Sequence, residues 1–149
     1  MDPRQFNEVA AALAQGRTPG HWRSATSRAY YAVFNVGVEV LRDIVPLGKG
    51  AKAHGQVQKV LGACSDGEVK QVGSDLGDLH SRRIDADYEL SNKDAENPAT
   101  VRATVAEAQE MIRILDRAFP SNTSHAVKKS IQQYWTEVLR EPLGRCKPA

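Results

Sequence analysis

The sequence predicts an all-α protein, an up-and-down helical bundle of five to six helices. Apolar residues recur at intervals of three and four in most segments, which is the period of a helix with one buried face. Gly, Pro and Asn residues interrupt this pattern between the segments. No sustained alternation of apolar and polar residues exists, so the sequence gives no sign of strands. The fraction of hydrophobic residues, 41%, and of charged residues, 26%, is typical of a globular domain.

The first two predicted helices cover residues 3–15 and 21–44. Asp2 can cap the first helix, and Pro3 stands at the first helical position, where its missing N–H has no partner to lose. The expected buried face of this helix consists of Phe6, Val9, Ala10 and Leu13. The second helix is apolar on most sides, which is typical of a central helix. One polar stripe remains on it, formed at helical spacing by Ser24, Arg28, Tyr31 and Asn35.

Four further helices are predicted over residues 53–63, 68–90, 98–119 and 124–139. Asn97 caps the fifth helix, Pro98 begins it and Pro120 stops it. The last helix is expected to bury Val127, Ile131, Tyr134, Trp135 and Val138. The fourth helix has an apolar seam of Val69, Val72, Leu76, Leu79, Ala86 and Leu90. The spacing of three and four leaves one position of this seam, residue 83, where an apolar side chain is expected. That position holds Arg83, and burial of its charge is costly unless another group pairs with it.

The domain organisation is expected to be simple. Residues 1–140 are predicted to form a single domain, and residues 141–149 a flexible C-terminal tail. Cys64 and Cys146 have no partners at metal-binding spacing and are expected to be free thiols, with a disulfide between them as the alternative. The initial segment MDPRQFNEVAAAL lacks the apolar stretch of a signal peptide, and no run of about 18 apolar residues exists. These features predict a cytoplasmic location without a membrane span.

The strongest candidate for chemistry is the segment Arg82–Tyr88 of the fourth helix. Arg83 and Asp87 are four residues apart and can pair, and His80 lies three residues before Arg83. The polar stripe of the second helix can face this segment and complete a polar pocket. The expected ligand-binding residues are Arg28, Tyr31, Asn35, Arg82, Arg83, Asp87 and Tyr88. The alternative is that Arg83 and Asp87 form only a structural pair that fixes helix register.

The histidines give little sign of a metal site. His21, His54, His80 and His125 are scattered, and no metal or cofactor is predicted. His54 follows a basic loop that contains Lys49 and Lys52, and it is a candidate acid or base. The motifs of Walker-type ATP hydrolysis, Rossmann dinucleotide binding and serine acyl transfer are absent. The net charge of +2 is too small to indicate nucleic-acid binding by itself.

Three blocks of the sequence resemble a bacterial and archaeal branch of the HEPN superfamily. Residues 27–35, SRAYYAVFN, are similar to the branch signature SRAYYAxFH, and His54-Gly55 matches a histidine–glycine step that follows it. Residues 83–88 match a block of the form Arg-x-x-Ala-Asp-Tyr. The resemblance covers residues 24–90 and implies a four- or five-helix bundle that often forms a homodimer. It also implies work beside a nucleotidyltransferase partner, in toxin–antitoxin pairs or in phage defence.

The resemblance bears on catalysis as well. Many HEPN proteins are metal-independent ribonucleases, in which an arginine is followed four to six residues later by a histidine. This chain has Asp87 or Tyr88 at that position, and Asn35 stands where related chains often have histidine. A guanidinium still suits phosphate binding, because it presents paired donors in one plane.

Three functions therefore remain open at this stage. The first is an RNA- or nucleotide-binding protein with weak or no catalysis, in which Arg83 holds phosphate and Asp87 orients Arg83. The second is an active ribonuclease in which Arg83 acts with His54 or His80, so whether the chain is an enzyme is undecided. The third is a dimeric protein-interaction module without a ligand.

Overall fold

A computed structural model describes residues 1–120 and 122–140 of the chain. Within these residues the structure contains six α-helices, one short 3-10 turn at Asp94–Glu96 and no strand. The prediction of an all-α helical bundle is confirmed. The predicted tail at 141–149 and Cys146 lie outside the described residues. The helices are α1 (Gln5–Ala14), α2 (Pro19–Leu41), α3 (Ala51–Gly62), α4 (Gly67–Tyr88), α5 (Pro98–Ala118) and α6 (His125–Glu137).

The described residues group into two compact units. The first unit comprises Met1–Val36 and Asp75–Arg113, and the second comprises Gly37–Ser74 and the described residues from Ile114 onward. The organisation of residues 1–140 as one domain stays a prediction. None of the described helices combines the length and the hydropathy that a membrane span requires.

Two helices begin at side-chain caps, formed by Asn97, which was predicted, and by Asp66, which was not. The Asn97 carboxamide oxygen accepts the backbone N–H groups of Ala99 and Thr100 at 2.9 and 3.3 Å. Helix α5 accordingly begins at Pro98, as predicted. The Asp66 carboxylate accepts two backbone N–H groups at the start of α4, both at 3.0 Å. Each cap satisfies donors that the first turn of a helix leaves without a partner.

The first unit has a core of small and medium-sized side chains around Tyr30, which is 1% exposed. Burial of a Val or Leu side chain stabilises a fold by roughly 1.5–3 kcal/mol. The buried apolar residues of this unit include Ala10, Ala14, Ala25, Ala29, Ala32, Val33, Val36, Leu76, Leu79, Ala86, Val101, Val105 and Ala108. Leu76, Leu79 and Ala86 belong to the seam predicted on α4.

The buried face of α1 differs from the prediction. Asn7, Ala10 and Ala14 are buried, whereas Val9 is 48% exposed. The Asn7 amide donates to the Gln109 carboxamide oxygen of α5 at 2.8 Å. This bond and the small size of Ala10 and Ala14 favour burial of the face that contains Asn7, Ala10 and Ala14. Phe6 and Leu13 lie at the edge of that face and are only half-buried.

Two residues expected inside lie at the surface. Leu90 is 69% exposed and Val138 is 61% exposed. Helix α4 ends at Tyr88 and helix α6 ends at Glu137, so both residues fall just beyond a helix terminus. Their burial was predicted from the helical spacing of apolar residues, and this spacing no longer places side chains on one face once the helix has ended.

The second unit is built around large side chains and one close backbone approach. A Cβ atom placed on Gly73 of α4 would lie 2.2 Å from the backbone nitrogen of Gly62 in α3, so only glycine fits there. The Cys64 thiol is buried and free, and burial raises its pKa. The buried apolar residues of this unit include Leu41, Val57, Val60, Leu61, Val69, Val72, Leu115, Ile131 and Trp135.

Candidate functional site

Arg83 lies against helix α2, with its side chain 13% exposed. Its Nη2 donates to the Tyr31 hydroxyl at 2.9 Å. Its Nε lies 2.7 Å from the Asp87 carboxylate, as an ion pair rather than a well-aligned hydrogen bond. The charge in the apolar seam is thus paired within its own helix and anchored to the neighbouring one. We call the group of Arg28, Tyr31, Arg83, Asp87 and Tyr88 the Arg83 face.

Aromatic rings surround the cations of the Arg83 face. The Arg83 Cζ lies 5.2 Å from the centre of the Tyr31 ring and 5.4 Å from that of Tyr88. The Arg28 Cζ lies 5.8 Å from the Tyr31 ring and 5.6 Å from the Phe6 ring. Distances under about 6 Å allow cation–π attraction. Two guanidinium groups therefore share the Tyr31 ring, and Tyr88 remains 64% exposed beside them.

Asp87 holds Arg83 with the help of Ser27, which was not among the predicted site residues. The Ser27 hydroxyl donates to the same Asp87 oxygen that contacts Arg83, at 3.1 Å. Ser27 is 4% exposed. Asn35, which was expected to shape the pocket, donates its amide to the Tyr31 carbonyl oxygen at 2.7 Å, one turn back along α2. This bond uses the Asn35 amide within its own helix.

His80 lies beside the Arg83 face, packed against a buried tyrosine. Its ring centre is 5.0 Å from that of Tyr30, which in turn stacks on Phe34 at 6.0 Å. Burial, and secondarily the positive charge of Arg83, lower the pKa of His80. Burial raises the pKa of Tyr30. Both groups are therefore neutral near pH 7.

Two other expected site residues have different surroundings. Arg82 donates to the Glu107 carboxylate at 2.6 Å and to the Thr104 hydroxyl at 3.2 Å. It lines a cleft of about 140 Å³ together with Thr26 and Asp85, on another side of α4. His54 is half-buried on α3, in the second unit. The contacts described around Arg83 all come from residues of the first unit.

The most deeply buried arginine described is Arg23, which was not among the predicted site residues. It is 8% exposed, and its Nη2 lies 2.9 Å from the Glu96 carboxylate. A cation is favoured at this place, because the last carbonyl groups of a helix carry partial negative charge. The guanidinium also donates to the backbone carbonyl oxygens of Asp85, Ala86, Glu89, Leu90 and Asn92. Arg23 thus closes the C-terminal end of α4 and holds the segment that follows it.

Helix α2 also carries buried polar residues outside the predicted stripe, namely Arg23, Thr26 and Ser27. Ser24, the first residue of the predicted stripe, is exposed, whereas Tyr31 of that stripe contacts Arg83. Arg23 and Ser27 pair with Glu96 and Asp87, which lie far away in the sequence, so the pattern of α2 alone could not identify them.

Comparisons with protein-family models, curated proteins and solved structures gave no significant match to this chain. Within residues 1–120 and 122–140, no group of three His, Cys, Asp or Glu residues is arranged to hold a metal ion. The Arg83 face offers guanidinium donors, exposed aromatic surface, one orienting carboxylate and a neutral imidazole nearby.

Proposed function

We propose that the chain is a HEPN-like protein that binds RNA or nucleotides through the Arg83 face, with weak catalysis or none. The observation that carries this proposal is the position of Arg83, held between Tyr31, Asp87 and the exposed ring of Tyr88. A fixed guanidinium beside an exposed aromatic ring can contact a phosphate and stack a base at once. The resemblance adds a homodimer, a nucleotidyltransferase partner and a toxin–antitoxin or defence setting to the proposal.

The charge balance of the face supports an anionic ligand. Arg83 is paired with Asp87, but Arg28 lies over the same Tyr31 ring, and its described contacts are with aromatic rings. Two guanidinium groups and one carboxylate leave a net positive charge at this place. Asp87 fixes the direction of Arg83, which lowers the entropy lost when a phosphate binds.

The test is a binding measurement with single-stranded RNA and with nucleotides at two salt concentrations. We expect Arg83→Met to raise the Kd at least about tenfold. The slope of log affinity against log salt concentration should fall by about one, the value of one phosphate contact. Tyr88→Ala should remove the stacking contribution and weaken binding of RNA by a similar factor. The matched control is Arg113→Met, because Arg113 is exposed and pairs with Glu110 in the same unit.

The outcomes separate the proposal from a pure interaction module. If neither RNA nor nucleotides bind at low salt, the Arg83 face only fixes how α2 and α4 pack or contacts another protein. The same conclusion follows if Arg83→Met binds RNA as tightly as Arg113→Met does.

A second candidate is a metal-independent ribonuclease that uses Arg83 and His80. In its favour, His80 stands one turn before Arg83 on α4 and packs against the Tyr30 ring, where burial and the Arg83 charge lower its pKa, so that a neutral imidazole is available as a base. RNA cleavage in the presence of a chelator, lost in both His80→Asn and Arg83→Met, would support it. Absence of cleavage by the unmodified protein removes this candidate. His54 stays a predicted catalytic residue for which His54→Asn is the equivalent test.

A further inference from the structure

The cleft on the Arg82 side of helix α4 contains a deeply placed hydroxyl group that makes no hydrogen bond. Thr26 of α2 is 5% exposed and lines this cleft. Its Oγ1 has no hydrogen-bond partner among the described residues, and it is not one of the atoms that the fold seals from solvent. A polar group this deep in a fold normally has a partner. The Thr26 hydroxyl is therefore available to a ligand in the cleft.

The same cleft holds two carboxylates that are not neutralised. Asp85 of α4 lines it and is half-buried, and Asp94 lines it from the segment after α4. Arg82 stands three residues before Asp85, a spacing that allows pairing on a helix, but it forms its ion pair with Glu107 at 2.6 Å. Among the described residues, neither Asp85 nor Asp94 has a cation within ion-pair range. The cleft thus has two unpaired negative charges and one arginine that is already neutralised.

The two walls of the cleft are held together from within the fold. The Arg23 guanidinium donates to the Asp85 carbonyl oxygen at 3.2 Å and to the Asn92 carbonyl oxygen at 2.7 Å. Its ion pair with Glu96 holds the residue directly after Ala95, which also lines the cleft. A site whose walls are fixed before binding loses less entropy when a ligand enters.

The size and the acceptors of the cleft indicate the chemistry of its ligand. Its volume is about 140 Å³, and Ala95 and Val101 add apolar surface. A protein cavity of about 150 Å³ binds benzene, so the cleft suits a ligand of roughly six non-hydrogen atoms. Two carboxylates and a hydroxyl oxygen are acceptors, and they favour a ligand with positive charge and several N–H donors. A divalent metal ion fits less well, because it takes about six or more oxygen ligands.

We infer that this cleft binds a small aliphatic amine as its ammonium ion. The ammonium group donates to the Asp85 carboxylate and to the Thr26 hydroxyl oxygen. Asp94 supplies the second negative charge, and the alkyl chain lies against Val101. Amine binding thus accounts for both the buried hydroxyl without a partner and the unpaired carboxylates. The cleft shares no residue with the Arg83 face, so this inference does not depend on the proposed function.

The experiment titrates isotope-labelled protein with butylamine and with putrescine at neutral pH. Butanol is the matched probe that has the size of butylamine without its charge, and tetramethylammonium chloride has the charge without N–H donors. We expect saturable shifts of the backbone signals of Thr26 and Asp85 with both amines. Butanol and tetramethylammonium should bind at least about tenfold more weakly, since each lacks one part of the contact.

Variants then separate recognition from folding. Asp85→Asn keeps the size of the side chain and removes its charge, so it should raise the Kd of butylamine at least about tenfold. Thr26→Val should raise the Kd about fivefold, the usual contribution of one hydrogen bond. Neither variant loses a side-chain hydrogen bond within the described residues, so both should be as stable as wild type in urea. The matched control is Asp78→Asn, an exposed aspartate of α4 outside the cleft, and it should leave the Kd unchanged.

Four results would overturn the inference. The first is the absence of saturable binding for both amines at millimolar concentration. The second is butanol that binds as tightly as butylamine, which would show an apolar cleft only. The third is an unchanged Kd in Asp85→Asn, and the fourth is a set of shifts that magnesium chloride reproduces. Amine binding that persists in Arg83→Met and is lost in Asp85→Asn supports the cleft, whatever the Arg83 face binds.

Discussion

The Arg23 guanidinium meets the Glu96 carboxylate at 2.9 Å beside the C-terminal end of helix α4. Their side chains are 9% and 16% exposed. The same guanidinium donates to backbone carbonyl oxygens on both sides of the helix end. The Arg23–Glu96 pair therefore fixes where α4 ends and holds the segment between α4 and α5. That segment starts directly after Tyr88, so the pair also supports the Arg83 face.

Arg23→Ala is expected to lower the free energy of unfolding by about 3 kcal/mol, because it leaves Glu96 and several carbonyl groups without their buried partner. Urea denaturation at neutral pH measures this change. The control is Arg113→Ala, whose ion pair with Glu110 is 66% and 54% exposed. A surface pair of this kind contributes less than about 1 kcal/mol. Equal losses in the two variants would contradict the role given to Arg23.

The Arg23–Glu96 pair should also weaken in acid. The hydrogen bond from Arg23 is the main cause that lowers the pKa of Glu96 below its ordinary value of 4.5. A carboxylate whose pKa is lower in the folded state adds stability that is present above the unfolded pKa and is lost as the pH falls through the folded pKa. The stability difference between wild type and Glu96→Gln is therefore expected to be constant at pH 7 to 5 and to shrink below pH 4.5. Denaturation curves at several pH values test this, and a difference that does not change with pH would contradict it.

Helix boundaries that depend on residues close by in the sequence could be predicted from the sequence. Asn97 and Pro98 begin α5 as expected, because a cap acts over only two or three residues. The seam of α4 was likewise recognised up to Ala86 from its period. Leu90 was placed wrongly, since the end of α4 is set by Arg23, a residue on another helix.

The candidate site could be predicted only in part, for the same physical reason. Arg83, Asp87 and Tyr31 come together as expected, because pairing within α4 and the facing of α2 follow from spacing. Ser27 was not predicted as a site residue, and Arg82 pairs with Glu107 although it was expected to act with Arg83. Their partners, Asp87 and Glu107, lie on other helices, and helical period alone does not tell which of two adjacent stripes faces them.

His80 reports on the charge of the Arg83 face. Its pKa is lowered first by burial and then by Arg83, so Arg83→Met is expected to raise it while leaving it below the ordinary value of 6.5. The chemical shifts of the His80 ring, followed against pH, measure this change. Arg82→Met is the matched control, because the neighbouring guanidinium is paired with Glu107 instead. Identical His80 titrations in wild type and Arg83→Met would show that the Arg83 charge does not act on His80.

Two glycines of the second unit should respond oppositely to the same substitution. Gly73 approaches the Gly62 backbone so closely that an added Cβ would lie 2.2 Å from its nitrogen, and backbone atoms cannot move aside as a flexible side chain can. Gly73→Ala is therefore expected to lower the free energy of unfolding by about 3 kcal/mol. Gly55 lies within helix α3 with nothing within 4 Å of an added Cβ. Gly55→Ala should raise the free energy of unfolding by up to about 1 kcal/mol, because alanine loses less backbone entropy on folding. Thermal and urea denaturation of the two variants test the pair, and a Gly73→Ala protein as stable as wild type would show that α3 and α4 do not approach this closely.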